Sequence, residues 1–165
     1  MRSNVRWSVA VGLVGVMVLT SMARTDDDVV AAQTRKPVVL TRIYTGPDGQ
    51  THSEEIELTL TGTPLNEASE MFKVTGAEVR RYQPGYFNDW HPAPRRALIV
   101  TLTGRGEIEL ADGKKISQGP GHILLAEDTT GKGHIARVVG SEERVTIQLP
   151  LAEQTEELER RVPAK

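Results

Sequence analysis

Cysteine is absent from this chain of 165 residues. Its absence excludes a disulfide framework, a thiolate nucleophile, a lipid-anchored cysteine and a cysteine-based zinc finger, whatever compartment the protein occupies. Any metal ion must therefore be held by histidine, aspartate, glutamate or water ligands.

The chain also lacks a marked excess of charge of either sign. Its 20 Lys and Arg residues oppose 22 Asp and Glu residues, which gives a formal net charge of −2. A protein that binds DNA or RNA normally presents a clear basic surplus to the phosphates, so the sequence gives no support to a nucleic-acid partner. The content of 38% hydrophobic and 25% charged residues predicts one globular domain.

The chain also lacks an apolar run that is long enough to span a membrane. Its main apolar run, from Val9 to Leu19, follows two arginines and contains two glycines, whereas a membrane-spanning helix needs about 20 apolar residues. This order predicts a cleaved signal peptide at residues 1–23, a periplasmic or extracellular protein, and no stable membrane span after cleavage. The alternative is an uncleaved N-terminal membrane anchor. Residues 24–36, with three consecutive aspartates, are predicted to form a flexible leader.

From residue 37 onward, apolar residues recur at every second position, as in Ile108 and Leu110 around Glu109. Such alternation is typical of strands that place one face against a core. About ten such runs, separated by Gly-rich turns and by no long helix, predict an all-β sandwich or barrel over residues 37–151. Residues 152–165 are predicted to form a short C-terminal helix and tail.

The clearest alternating run is the last one. Its two faces carry these residues: Val145, Ile147, Leu149 and Leu151 on one, Thr146 and Gln148 on the other. Period-two patterning of this kind predicts a strand whose apolar face lies on the core.

Aromatic residues make up only 4% of the chain, yet four of them cluster just before His91. They are Tyr82, Tyr86, Phe87 and Trp90. One interpretation is a partly aromatic wall beside a polar ligand, with Tyr86 and Trp90 as substrate-binding residues. The other is a long loop that is held in place by its own aromatic side chains.

His91 lies in a stiff segment that also carries two guanidinium groups. Pro92 and Pro94 restrict the backbone here, and Arg95 and Arg96 follow at once. Neutral imidazole is a good ligand for transition metals, and a pair of arginines can hold a substrate carboxylate. The alternative is an ordinary surface histidine beside arginines that stabilise the fold through ion pairs.

His134 follows two carboxylates and a Gly-rich turn. Glu127 and Asp128 come directly after an apolar run, and Gly133 precedes the histidine. If His134 begins a strand and faces inward, Ala136 shares its face and leaves room for a pocket. The alternative is that the two carboxylates lie on an exposed turn.

Three segments carry a resemblance to a known family. Thr41 to Gly49, Asp89 to Arg96 and Ala126 to His134 resemble the cupin superfamily, and within it a group of small single-domain bacterial and fungal cupins of the cupin 2 conserved-barrel kind. The resemblance spans roughly residues 38–151. It implies a double-stranded β-helix, which is a jelly-roll barrel, with any site in the barrel mouth, and it makes a homodimer the expected assembly.

The chain departs from the ligand pattern of metal-binding cupins. His91 and His134 match two of the usual three imidazoles, but Ala93 stands at the place of another histidine and Ala97 at about the place of a glutamate. A divalent metal (Fe, Mn, Zn, Ni or Cu) would then need His91, His134 and a carboxylate, either Asp128 or Glu127.

Several functions remain open at this point. One is a metal-dependent cupin of the dioxygenase or isomerase type, with His91 and His134 as catalytic residues and a small carboxylate-bearing substrate. A second uses the two histidines as acid and base without a metal. A third is a non-catalytic module that binds a small-molecule ligand, because fold alone does not determine function.

Overall fold

The computed structural model describes residues 36–152. The predicted signal peptide, the predicted leader apart from Lys36, and the predicted C-terminal helix apart from Ala152 lie outside these residues. Within residues 36–152, no helix has the length and hydrophobicity that crossing a membrane requires.

The described part of the chain contains strands and connecting turns and no helix. The strands are β1 (Val39–Thr45), β2 (Thr51–Glu57), β3 (Thr61–Thr63), β4 (Asn66–Ala68), β5 (Glu78–Tyr82), β6 (Phe87–His91), β7 (Ala97–Thr103), β8 (Gly106–Glu109), β9 (Lys115–Gln118), β10 (Ile123–Glu127), β11 (His134–Val138) and β12 (Arg144–Pro150). The sequence predicts about ten strands. The additional ones are β3 and β4, a short hairpin whose residues are all exposed and which therefore shows no apolar alternation.

Ten of these strands form two larger sheets. The six-stranded sheet has the order β2-β1-β10-β7-β12-β5, and the four-stranded sheet has the order β6-β11-β8-β9. Neighbours run antiparallel except β1 and β10, which are parallel. The long crossovers between sequence-distant strands are those of a jelly roll, so the structure confirms the predicted all-β jelly-roll barrel.

The core lies between the two sheets. Its buried apolar side chains come from five strands and one turn: Leu40, Ile43, Ala97, Leu98, Ile108, Leu110, Ile116, Leu124 and Ala126. Ile108 and Leu110 are almost fully inaccessible, as the alternation around Glu109 predicts.

Strand β12 differs from its sequence-based prediction. Its buried residues are Arg144 and Thr146, whereas Val145, Ile147 and Leu149 are only partly buried. The physical reason is that the inner face of β12 borders a cavity with polar groups, so that the apolar face of this strand is the outer one.

Candidate functional site

A cavity of about 310 Å³ lies inside the barrel and is bordered by strands of both larger sheets. Its apolar lining includes Ala93, Ile99, Ile108, Leu124, Ala126 and Ala136. Its polar lining includes two histidines, two tyrosines, two glutamines and three arginines. An apolar enclosure with a few convergent polar groups is the usual form of a small-molecule site.

The two histidines named by the sequence meet in this cavity. His91 ends β6, His134 begins β11, and the two residues are paired across the antiparallel ladder. Their ring centroids are 4.6 Å apart, with the ring planes inclined at 53°. Gly133 makes the approach possible, because its φ is +73° and a Cβ there would overlap the carbonyl oxygen of His91.

His134 is held from behind by a buried carboxylate. Its Nδ1 lies 2.6 Å from Oδ2 of Asp128, and the Asp128 side chain is fully buried. The hydroxyl of Thr51 at the start of β2 donates to the same carboxylate oxygen at 3.0 Å. Because a carboxylate only accepts hydrogen bonds, Nδ1 of His134 carries the proton and Nε2 keeps its lone pair in the neutral ring.

His91 has the same tautomer for a different reason. Its Nδ1 lies 2.7 Å from the backbone carbonyl oxygen of Asp89, which is again an acceptor only. Nδ1 of His91 is therefore the donor, and Nε2 carries the lone pair. Both imidazoles thus offer an unprotonated Nε2 as the nitrogen left free for the cavity that their rings line.

A free Nε2 on each histidine would suit a metal ion, but the described lining of the cavity lacks the further ligands that a metal ion needs. Among residues 36–152, no cluster of three or more His, Asp or Glu side chains is arranged to hold a metal ion. No Asp or Glu lines the cavity within the described chain, and Ala93 lines it at the position of the missing histidine. Since divalent metal sites generally need at least three protein ligands, the residues present do not fit a bound metal.

The charge of the lining opposes a cation as well. Three arginines, Arg80, Arg137 and Arg144, border the cavity. Arg80 is paired with Glu78, and Arg137 with Glu109, both outside the lining. Arg144 has no carboxylate partner among the described residues, so the cavity carries uncompensated positive charge.

Glu127, a candidate metal ligand, is bound by two arginines outside the cavity lining. Its Oε1 accepts hydrogen bonds from Nε of Arg96 at 2.9 Å and from Nη2 of the same residue, and its Oε2 accepts from Nε of Arg42 at 2.6 Å. Burial alone would raise the pKa of Glu127, but the two arginines outweigh that effect and lower it. The structure thus places Arg96 and Glu127 in an ion-pair network that joins β1, β10 and the segment before β7.

Asp128, the other carboxylate candidate, lies behind the histidine rather than in the cavity. Its Oδ2 contacts Nδ1 of His134, so that Nε2 is the ring nitrogen that this carboxylate leaves free. Carboxylates in this position orient an imidazole and raise its basicity. The sequence predicts Asp128 as a candidate metal ligand, and the structure places its carboxylate against Nδ1 of His134.

The remaining predicted substrate-binding residues separate into two groups. Tyr86 lines the cavity, and its ring centroid is 4.8 Å from that of Tyr82. Trp90 is outside the lining and packs against Lys132, whose Nζ lies 3.9 Å from the ring centroid. Arg95 is exposed, is outside the lining of this cavity, and borders a smaller hollow of about 40 Å³ near Glu78 and Pro94.

Two buried polar residues that line the cavity are missing from the sequence-based site. Arg144 and Gln118 are both buried and both line the cavity. Arg144 belongs to the polar side of an alternating run, which sequence reasoning assigns to solvent. The only sequence signal is its alternation with Thr146 and Gln148, which becomes meaningful once β12 is known to turn this side inward.

Comparison with known proteins gives a likeness to solved cupin structures. No family model matches the chain, and no curated protein matches it. A cupin domain from Schizosaccharomyces pombe is 12% identical with a TM-score of 0.42, over 76% of this chain and 90% of that one. A cupin domain from Bordetella pertussis is 18% identical with a TM-score of 0.39, over 50% and 93%.

A third similar structure is a cupin-2 domain protein from Shewanella frigidimarina. It is 14% identical with a TM-score of 0.37, over 53% of this chain and 86% of that one. Identities this low describe a likeness of fold and carry nothing about ligand or activity.

Proposed function

We propose that this cupin-fold protein catalyses proton transfer on a small molecule, as an isomerase-type enzyme without a resident metal. The observation that carries the proposal is the buried contact between Oδ2 of Asp128 and Nδ1 of His134. It fixes the tautomer in which Nε2 of His134 is a base toward the cavity. A pairing of this kind orients the ring and stabilises the imidazolium that forms when the base takes up a proton.

The proposed step moves one proton and one electron pair. Nε2 of His134 removes a proton from a carbon next to a carbonyl group, and the electron pair of the broken C–H bond passes into the carbonyl as an enolate. The imidazolium then faces the carboxylate of Asp128 at 2.6 Å. The imidazolium of His134 then returns this proton to a second carbon of a conjugated enolate, which restores the neutral His134 and completes the isomerisation.

His91 is positioned to take part in the second half of the reaction. Its ring is 4.6 Å from that of His134, and its Nδ1 is held by a carbonyl, which accepts from the neutral and from the protonated ring alike. When His91 begins as the imidazolium, it can protonate the enolate in place of His134, and proton exchange with water then returns His134 to its neutral form and His91 to its protonated form. The apolar residues around both rings limit access of water to the enolate.

The metal-dependent interpretation receives no support from the donor set. Two imidazoles with no carboxylate in the lining of the described chain, and three arginines beside them, favour an anionic molecule over a cation. We therefore route no step through a metal ion. A cavity that binds such a molecule without moving a proton is the non-catalytic alternative, and the experiment below separates the two.

Deuterium incorporation into simple carbon acids tests the proposal, and it does so whether or not the natural substrate has been identified. Pyruvate, levulinate and dihydroxyacetone are incubated with the protein in deuterium oxide, and loss of each C–H signal is followed by proton NMR. We expect the wild type to accelerate exchange of at least one carbon acid, and H134Q and D128N to reduce that rate by about 100-fold or more.

The matched control is D48N, because Asp48 and His52 form a similar Asp–His contact on the surface, with 53% and 45% exposed side chains. D48N keeps the wild-type rate. The contradicting result has two parts. An extended panel of carbon acids exchanges deuterium at the uncatalysed rate, and the protein still binds one of these molecules. That result would establish a non-catalytic binding module.

A further inference from the structure

Arg144 is an unusual residue for the inside of a barrel. It begins β12, is only 9% exposed, and lines the cavity. Its Nη2 donates to Oγ1 of Thr101 at 2.8 Å, while its buried Nε has no acceptor among the described residues. A permanently charged group in this setting normally has a carboxylate or phosphate partner.

The backbone leaves space for this guanidinium at one glycine. A Cβ on Gly106 would lie 2.6 Å from Nη1 and 2.9 Å from Nε of Arg144. The guanidinium therefore rests directly on the backbone of β8, in a position that any side chain at residue 106 would fill. The absence of a side chain at Gly106 thus creates the binding space, here called the seat, that the planar guanidinium of Arg144 occupies.

A second donor lies beside the same seat. Gln118 on β9 is paired with Gly106 across the ladder, so that its side chain points to the face on which the guanidinium lies. Gln118 is 2% exposed, lines the cavity, and its Nε2 also has no acceptor among the described residues. Two buried donors without acceptors therefore converge on one part of the cavity.

The other two arginines of the described lining have carboxylate partners. Arg80 and Arg137 pair with Glu78 and Glu109. Burial lowers the pKa of Arg144, in keeping with a charge that no carboxylate compensates. Arg144 is thus the one arginine of the described lining that is both buried and without a carboxylate partner.

We propose that Arg144 and Gln118 form an anchor for the carboxylate of an elongated small-molecule substrate, whose other end reaches the two histidines. The proposal rests on the proposed proton-transfer function of the same cavity. A carboxylate matches the fork of a guanidinium and accepts from an amide at the same time. This assigns the role predicted for Arg95 and Arg96 to a residue on β12.

The distance along β11 sets the size of the substrate. Val138 is paired with Gly106 and lies four positions after His134 on β11, which corresponds to about 13 Å of strand. A carboxylate on Arg144 therefore lies several bonds from a carbon that His134 can reach. The walls between the two ends include Ile99, Ile108 and Leu124, which suit an aliphatic chain.

Binding of linear acids tests the anchor. Acetate, butanoate and hexanoate are titrated into the wild-type protein at constant ionic strength, with hexanamide as the uncharged control, and side-chain NMR signals of Arg144 and Gln118 are followed. We expect saturable binding that strengthens by about fourfold per methylene. Hexanoate should shift the Arg144 Nε–H signal and bind at least tenfold more tightly than hexanamide.

Three variants test whether Arg144 is the positive charge that binds the carboxylate. R144M should lose the preference for hexanoate over hexanamide, and Q118L should weaken it. R81M removes an arginine whose side chain is 65% exposed and should leave the preference intact. Should R144M fail to fold, the acid–amide comparison on the wild type and Q118L still decides. Equal affinity for acid and amide, or wild-type binding by R144M, overturns the anchor.

The anchor and the proton transfer fail in different experiments. Binding of hexanoate through Arg144, with no deuterium incorporation into any carbon acid, upholds the anchor and contradicts the proposed reaction. Deuterium incorporation into one of the small carbon acids, together with equal affinity of the protein for hexanoate and hexanamide, upholds the reaction and contradicts the anchor.

Discussion

Asp128 and His134 form a buried hydrogen-bonded pair inside the barrel. Oδ2 of the carboxylate lies 2.6 Å from Nδ1 of the imidazole, and the carboxylate is fully buried. Thr51, from a hairpin more than seventy residues away in sequence, donates to the same oxygen. The pair therefore depends on the complete fold, and it determines which nitrogen of His134 is basic.

The first prediction concerns that nitrogen. At a pH at which both rings are neutral, His91 and His134 should carry their proton on Nδ1, because an acceptor faces each Nδ1. Two-bond ¹H–¹⁵N correlation spectra distinguish the two tautomers directly. D128N should release the constraint on His134 and leave His91 unchanged. A proton on Nε2 of His134 in the wild type would refute the assignment of this nitrogen as the base.

The second prediction concerns Gly133, which lies against the backbone of His91. G133A forces a side chain into a positive φ and against the His91 carbonyl, whereas G85A meets only the first penalty, since nothing lies within 4 Å of a Cβ there. G85A should cost about 1 kcal/mol of unfolding free energy, and G133A about 1–3 kcal/mol more. Urea unfolding measures both, and equal losses would contradict the tight approach.

The third prediction uses the pH dependence of Glu127. Arg96 and Arg42 hold its pKa below the ordinary value of 4.5 in the folded protein, so the unfolded chain takes up the proton first as pH falls. The stability that this group contributes is therefore present above pH 4.5 and is lost as pH falls through the lower, folded pKa. E127Q should cost about 1.5–3 kcal/mol at neutral pH.

That cost should shrink as the pH is lowered below 4.5, where the wild-type carboxyl also becomes protonated. E54Q is the matched control, because Glu54 also contacts Arg42 but its side chain is 44% exposed, and exposed pairs contribute little. Chemical denaturation at several pH values gives both curves. A difference between wild type and E127Q that does not change with pH would contradict the ion-pair account.

Much of the fold follows from local pattern. Alternation around Glu109 and the Gly-rich turns predict strands and their connections, because period two and positive φ are properties of a few adjacent residues. The sequence also groups His91 with His134 at one site, since both lie in segments that resemble cupin motifs, and the structure pairs them across the β6–β11 ladder.

The roles of individual site residues depend on contacts that are distant in sequence. Glu127 and Asp128 are adjacent and chemically alike, yet one meets two arginines and the other meets Thr51 and His134. Arg144 escapes sequence reasoning because a polar side of a strand ordinarily faces water, and here it faces a cavity. Nothing in the local sequence distinguishes these cases.

The most direct test of the central claim, that oriented imidazoles act without a metal, is deuterium incorporation by chelator-treated protein whose metal content is measured on the same sample. The account predicts that the wild type keeps its full exchange rate with Fe, Mn, Zn, Ni and Cu all far below one equivalent, and that H134Q loses it. Loss of exchange on chelation, restored by one of these ions, would contradict the account and return the site to metal chemistry.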